Sequence, residues 1–252
     1  MDNGTYSVAT AGFFLFKKLD ILNNNLANTN TPGYKQDKVI QTRQVFEETL
    51  ASKFNPISPY ARPDFERFHG SKLVDVKTDL RQGAIQHTGR PLDVAIGSSD
   101  EFFVVQTPVG IMLTRAGTFE IDSNQDLVTP SGYKVLGDGG IINVAGASNV
   151  KISPNGKITG TVGGQEVTLG KLQVVKINGE VKKIGLNLFE AKEGFQVVEN
   201  PRLVPGSVEQ SNVELIPTMI ELISTNKQFE LFSKIIKTLE ELNQSAINGA
   251  RP

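Results

Sequence analysis

Between Thr5 and Asn28 the apolar residues Val8, Leu15, Leu19, Leu22 and Leu26 recur at alternating spacings of four and three, with Gly12 in the one gap. That is the 3.5-residue period of a coiled-coil seam, and it predicts a helix whose stripe is covered by another helix. Phe13, Phe14 and Phe16 widen the apolar surface beyond a narrow stripe. The helix should stop near Asn28, because Asn30-Thr31-Pro32-Gly33 follows and Pro32 pushes Thr31 out of the helical region. The far end has the same character. From Leu215 to Ile247 there is no glycine, and the one proline, Pro217, fits a first helical turn. Ile216, Ile220 and Ile223 give one seam there. After a shift, Phe229, Phe232, Ile236 and Leu239 continue it, with Ile235 and Leu242 alongside and Glu230 and Lys234 as a favourable i, i+4 pair.

Length decides how such helices are used. About thirty helical residues span roughly 45 Å. A compact globule of this chain length has a radius of gyration near ~18 Å, hence a diameter of about 46 Å. A helix as long as the body cannot be wrapped by it, so the two terminal stripes are expected to pack on each other or on another molecule.

The middle, from Gly83 to Asn200, reads as β. Short runs rich in Val, Ile, Phe and Thr are separated by Thr107-Pro108-Val109-Gly110, Gly137-Asp138-Gly139-Gly140, Asn155-Gly156, Gly163-Gly164 and Asn178-Gly179. Asn-Gly between such runs is a strong hairpin signal, and closely spaced turns without helices predict antiparallel meanders. Residues 35–82 are less regular, and Pro56, Pro59 and Pro63 mark an extended connector. The expected class is therefore α+β: terminal helices forming a coiled-coil-like bundle, and a central antiparallel all-β domain. The division is residues 1–34 for the first helix and its exit, 35–82 for the connector, 83–205 for the β domain and 206–252 for the last helix.

Composition narrows the function. With 38% hydrophobic and 21% charged residues the chain can bury a core. A net charge of −1 removes the electrostatic case for nucleic-acid binding. The absence of cysteine excludes disulfides, thiolate metal sites and a thiol nucleophile. The apolar stretch from Val8 to Phe16 lacks the basic lead and small-residue cleavage pattern of a signal peptide, so Met1 onward is expected to be mature, soluble protein without a membrane span.

Catalytic constellations are not found. His69 and His87 have no ligand-like spacing, no Ser sits in a Gly-x-Ser-x-Gly elbow, and Asp93, Asp122 and Asp126 read as turn or strand residues. The Gly137–Gly140 run lacks the Lys-Ser/Thr ending of a phosphate loop. No enzyme activity, metal or cofactor is expected. The unusual feature is Asn23-Asn24-Asn25, followed by Asn28 and Asn30, in and after a seam. Asparagine is a poor helix former. Either these residues cap a fraying helix end, or their amides meet polar partners on neighbouring subunits.

The run Leu22 to Lys35, ending Asn30-Thr31-Pro32-Gly33-Tyr34-Lys35, resembles the N-terminal signature of bacterial flagellar rod and hook proteins. Gln82 to Ile96, Phe102 to Gln106, Thr114 to Phe119, Leu127 to Gly137 and Gly206 to Val213 are similar to further segments of that family, in family order. Departures are Arg90, Ser98 to Glu101 and Asn124-Gln125-Asp126, and residues from Gly140 to Asn200 match only loosely.

The resemblance implies a structural subunit of the basal-body rod. Its terminal helices would line an axial tube, with a β domain outside. It implies partners among other rod subunits, copies of itself and the flagellar type III export apparatus. It also implies export without a cleaved signal peptide to a rod that spans the periplasm, transmits torque and forms an export channel. Chain length and the Phe229-Glu230 helix look more like the proximal than the distal rod position. The assembly interface expected from seam and signature comprises Val8, Leu15, Leu19, Leu22, Asn24, Asn25, Leu26, Asn28, Asn30, Pro32, Gly33, Ile220, Ile223, Phe229, Phe232, Ile236 and Leu239. The competing reading is a secreted β-rich enzyme or carbohydrate-binding module whose terminal helices dimerise.

Overall fold

A computed structural model describes residues 3–43 and 72–249. Pro56, Pro59, Pro63 and His69 of the expected connector lie outside the described residues. The chain divides into two compact units. One falls within Met1–Leu26, Asp37–Lys77 and Leu215–Pro252; the other comprises Ala27–Gln36 and Thr78–Glu214.

In the first unit, helix α1 runs Asn3–Ala27 and helix α2 runs Leu215–Gly249, close to the bounds read from periodicity. Strands Asp37–Arg43 and Lys72–Thr78 pair as a two-stranded sheet. The two helices touch. Lys18 Nζ lies 2.7 Å from Glu221 Oε1. A Cβ built on Gly12 would fall 2.5 Å from Phe232 Cε1, so the gap in the α1 seam is filled by an aromatic ring.

The covered face of α2 differs from the expected one in its first half. Thr218 and Thr225 are buried, and Leu222, Phe229, Phe232 and Ile236 are half-buried. These six fall at spacings of four and three, one unbroken heptad seam. Ile216, Ile220 and Ile223 instead stand exposed. A pattern of apolar letters passes over threonine, yet its small methyl-bearing side chain suits a close helix contact.

The second unit is β. Its centre is strand Glu101–Thr107, which pairs antiparallel with Gly110–Thr114 on one side. On the other side it meets Lys134–Gly137 through Val105↔Val135, and Val174–Ile177 through Phe103↔Val174. Period-two alternation sends Phe103 and Val105 into one buried cluster with Phe119, Leu127 and Ile158. It sends Phe102 and Val104 into another with Leu113, Val175 and Phe189. Both faces of this strand are therefore core, which is why it reads as a continuous apolar run. Phe103 and Phe119 meet edge to face at 5.3 Å, and Phe102 and Phe189 at 5.4 Å.

The turn signals hold at Pro108-Val109, at Asp138-Gly139, at Asn155-Gly156 and at Gly163-Gly164, where the flanking strands pair with each other. Gly163 and Gly164 both take positive φ (60° and 85°), as a two-residue hairpin requires. Asn178-Gly179 is different. Val174–Ile177 pairs with Glu101–Thr107 and Phe195–Val197, while Val181–Ile184 pairs with Leu188–Ala191. The turn thus joins two strands that are not neighbours, and the sheet is not a plain meander there. β structure also extends past Asn200: Leu203–Pro205 pairs with Val94–Ile96, and Ser207–Glu209 with Ile85–His87.

Candidate functional site

Two features stand apart from the cores. The first, in the β unit, is the junction where the exit from α1 meets the lead-in to α2. After Ala27 the chain turns tightly: Thr31 N donates to Asn28 O, Tyr34 N donates to Thr31 O, and the Thr31 hydroxyl donates to Asn28 Oδ1 at 3.2 Å. Gly33 sits at φ +72°, with its N–H on Glu209 O at 2.8 Å. A Cβ there would lie 2.3 Å from Ala116 N, so both the conformation and the space demand glycine. Asn212 completes the join. Its Oδ1 accepts from Gln36 N at 2.7 Å, and its Nδ2 donates to Asp79 O at 2.7 Å and Arg81 O at 3.0 Å.

Beneath this backbone lies a buried ion cluster. Glu209 places Oε1 2.6 Å from Lys35 Nζ, and Oε2 2.6 Å from Arg115 Nη2 and 2.9 Å from Arg115 Nε. All three side chains are at most 1% exposed. Backbone groups meet further valences. Gly83 N donates to Glu209 Oε1 at 2.9 Å, Lys35 Nζ donates to Arg81 O at 2.7 Å, and Arg115 Nη1 donates to the carbonyls of Ser98 and Glu101. One carboxylate thus serves two cations. Burial pushes the Lys35 ammonium below the usual lysine range; Glu209 opposes that shift and the Arg115 charge adds to it. Closed to solvent, the cluster has no access for a substrate. What it can do is join residues 35, 115 and 209 of the chain.

Two signature asparagines, Asn25 and Asn28, bond within the chain. In the helical unit the Asn25 amide closes on the backbone of Asp37, donating to its O at 2.8 Å and accepting from its N at 3.0 Å. Asn28 is buried, Pro32 is half-buried, and Asn24 and Asn30 are exposed. The sequence reading named Gly33 but gave no role to Tyr34, Lys35, Arg115 or Glu209, which are fully or almost fully buried. The available signal was charged residues inside otherwise apolar, family-like segments.

The carboxylates weighed for acid–base work are turn and pairing groups. Asp93 accepts the Thr88 hydroxyl at 2.7 Å. Asp122 Oδ1 accepts from the backbone of Asn124 and Asp126. Asp126 holds Asn143 at 2.7 Å and Lys134 at 2.9 Å. Hydrogen bonding from Lys134 draws the Asp126 carboxyl below the usual range. Among the described residues no three His, Cys, Asp or Glu side chains group as a metal site.

The second feature, in the helical unit, is a set of apolar side chains on the far faces of the helices. In α1, Leu22 is buried and Leu15, Leu19 and Leu26 are half-buried, whereas Phe13 and Phe16 are each 61% exposed. In α2, Ile220 is 63% exposed, Leu231 60%, and Ile223 and Ile235 56%. Val8 and Leu239 lie on α1 and α2. No helix among the described residues is long and apolar enough to cross a membrane. Apolar side chains this large and this regularly placed mark an interaction surface.

Known proteins are similar to this chain in sequence. Residues 16–35 match the flagella basal body rod protein family, 98–160 the D1 domain of the flagellar hook protein FlgE/F/G family, and 204–249 the C-terminal family of flagellar basal body rod FlgEFG proteins. The chain is 32% identical over 249 residues to the flagellar basal-body rod protein FlgG of Bacillus subtilis, covering 93% of this chain and 94% of that one. It is 31% identical over 252 residues to FlgG of Borreliella burgdorferi, covering 92% and 93%. To the flagellar basal-body rod protein FlgF of Rhizobium meliloti it is 29% identical over 265 residues, covering 98% and 97%. With rod-family matches at both termini and relatives aligned over nearly its whole length, the chain belongs to the flagellar basal-body rod protein family.

Proposed function

We propose that the chain is a structural subunit of the flagellar rod, assembling with copies of itself and with other rod subunits into a helical tube. Helices α1 and α2 supply the axial layer, residues 27–36 and 78–214 the β domain, and residues 37–77 the connector. The axial layer is a coiled-coil-like bundle in which α1 and α2 of one chain share a seam and neighbouring chains cover the remaining apolar faces. The tube transmits torque, and its lumen passes later export substrates. The subunit itself leaves the cell through the type III export apparatus without a cleaved signal peptide. Among the interface residues, Leu15, Leu19, Leu22, Phe229, Phe232 and Ile236 build the pair of helices. Ile220 and Ile223, with Val8, Leu26 and Leu239, meet neighbours, and Asn24, Asn25, Asn28, Asn30, Pro32 and Gly33 hold the exit in register.

The observation that carries this reading is the exposed stripe itself. Ile220, Ile223, Leu231 and Ile235 remain uncovered after the two helices have met. FlgG and FlgF both stand among the relatives, so position along the rod rests on chain length and the Phe229-Glu230 helix, which favour the proximal segment. Purified basal bodies from cells expressing the chain should contain it, and cells lacking it should build no complete rod and fail to swim. Basal bodies free of the chain, together with normal swimming in its absence, would refute the assignment.

A further inference from the structure

The hairpin of Val181–Ile184 and Leu188–Ala191 closes one edge of the ten-stranded sheet, held to Gly110–Thr114 through Leu188↔Thr114 and Phe189↔Leu113. It lies outside the three family-matched segments, 16–35, 98–160 and 204–249. Two of its side chains reach the exit from α1. Lys183 Nζ sits 3.7 Å from the centroid of the Tyr34 ring and donates to Lys35 O at 2.6 Å. Asn187 Nδ2 donates to Pro32 O at 3.3 Å. Together they bond the carbonyls on either side of the buried pair Gly33-Tyr34.

Electrostatics make this arrangement informative. A lysine on an edge hairpin can extend its flexible stem to water at no cost. Lys183 instead turns toward a region that already holds the Lys35 and Arg115 cations, with Glu209 and Asp79 as counter-charges on Lys35. The Tyr34 ring face and the Lys35 carbonyl both hold the Lys183 ammonium there.

We propose that the 181–191 hairpin is a strap that locks residues 32–35 into their seat in the β unit, with Lys183 and Asn187 as its positioning residues. The strap acts on the folded single chain and is independent of how subunits assemble. It supplies from a family-unmatched hairpin a second hold on the exit, beside the one Glu209 and Asn212 make from the C-terminal lead-in.

Hydrogen exchange by mass spectrometry on the full chain tests this, comparing Lys183→Met with Asn187→Ala, their combination, and Lys183→Arg. Losing a cation–π contact and two carbonyl bonds should speed exchange at residues 33–36 about tenfold in the double variant. Exchange in Glu101–Thr107 should stay unchanged, and Lys183→Arg, which keeps a cation over the ring, should restore protection. Unchanged exchange at 33–36 in the double variant overturns the proposal. So does equal acceleration at 33–36 and 101–107, which would mean mere loss of global stability. Neither outcome bears on rod membership, because the measurement is made on unassembled protein.

Discussion

Glu209→Gln is expected to lower the stability of the β unit by about 3–5 kcal/mol, the usual cost of removing one partner from a buried ion cluster. The substitution preserves shape and removes one charge. Lys35 and Arg115 then face each other's charge in the interior without a neutralising carboxylate. Lys35 is already held below its usual range by burial, so it is the group that would release its proton, and its bond to Arg81 O would then come from a neutral amine. Because Glu209 also receives Gly33 N–H on its backbone and Gly83 N–H on its carboxylate, disorder should spread to the exit and lead-in together. Urea unfolding followed by far-UV circular dichroism measures the effect. Adding Lys35→Met to Glu209→Gln should recover part of the loss, since the double variant buries one cation fewer. A Glu209→Gln midpoint equal to that of the parent would mean the three charges are not coupled.

Ile220→Asp combined with Ile223→Asp should abolish rod assembly while leaving the isolated chain folded. Both side chains are more than half exposed in the single chain, so aspartates there are hydrated and should shift monomer stability by no more than about 0.5 kcal/mol per site. In the proposed tube a neighbouring helix would cover the same positions. Each buried carboxylate then carries a desolvation penalty of several kcal/mol, repeated in each subunit. The readouts are circular dichroism of purified monomer, swimming in soft agar, and recovery of the variant with basal bodies. A variant that is folded and recovered with basal bodies at the parent level would show that this face is not an interface.

How much of this was legible in the sequence depends on range. The α1 seam was readable because periodicity is local, and Gly12 stood out as its gap; only the structure shows that Phe232 fills it. In α2 the isoleucines drew the seam to the wrong face of the first half. Thr218 and Thr225 carry the covered stripe, and threonine scores as polar in any apolar count. Four of the five turn signals sit between strands that are linked directly or at close range. Asn178-Gly179 does not make a hairpin, because residues Val174–Ile177 are taken by Glu101–Thr107 and Phe195–Val197, and a turn signal carries no information about such distant competitors.

The ion cluster was out of reach for the same reason. Lys35 and Glu209 are 174 positions apart, and nothing local marks either as buried. Of the asparagine run, Asn25 bonds the backbone of Asp37 and Asn28 accepts from Thr31, contacts that a local pattern does not announce.

The most direct measurement of the central claim uses the absence of cysteine from the chain. Phe16→Cys and Ile220→Cys place single thiols on the two exposed faces with a small apolar side chain in each case. Maleimide labelling is then compared between purified monomer and isolated basal bodies carrying the same variants. Both thiols should react readily in the monomer and be strongly protected in the rod. Equal labelling in monomer and rod would contradict an account in which neighbouring subunits cover what the single chain leaves open.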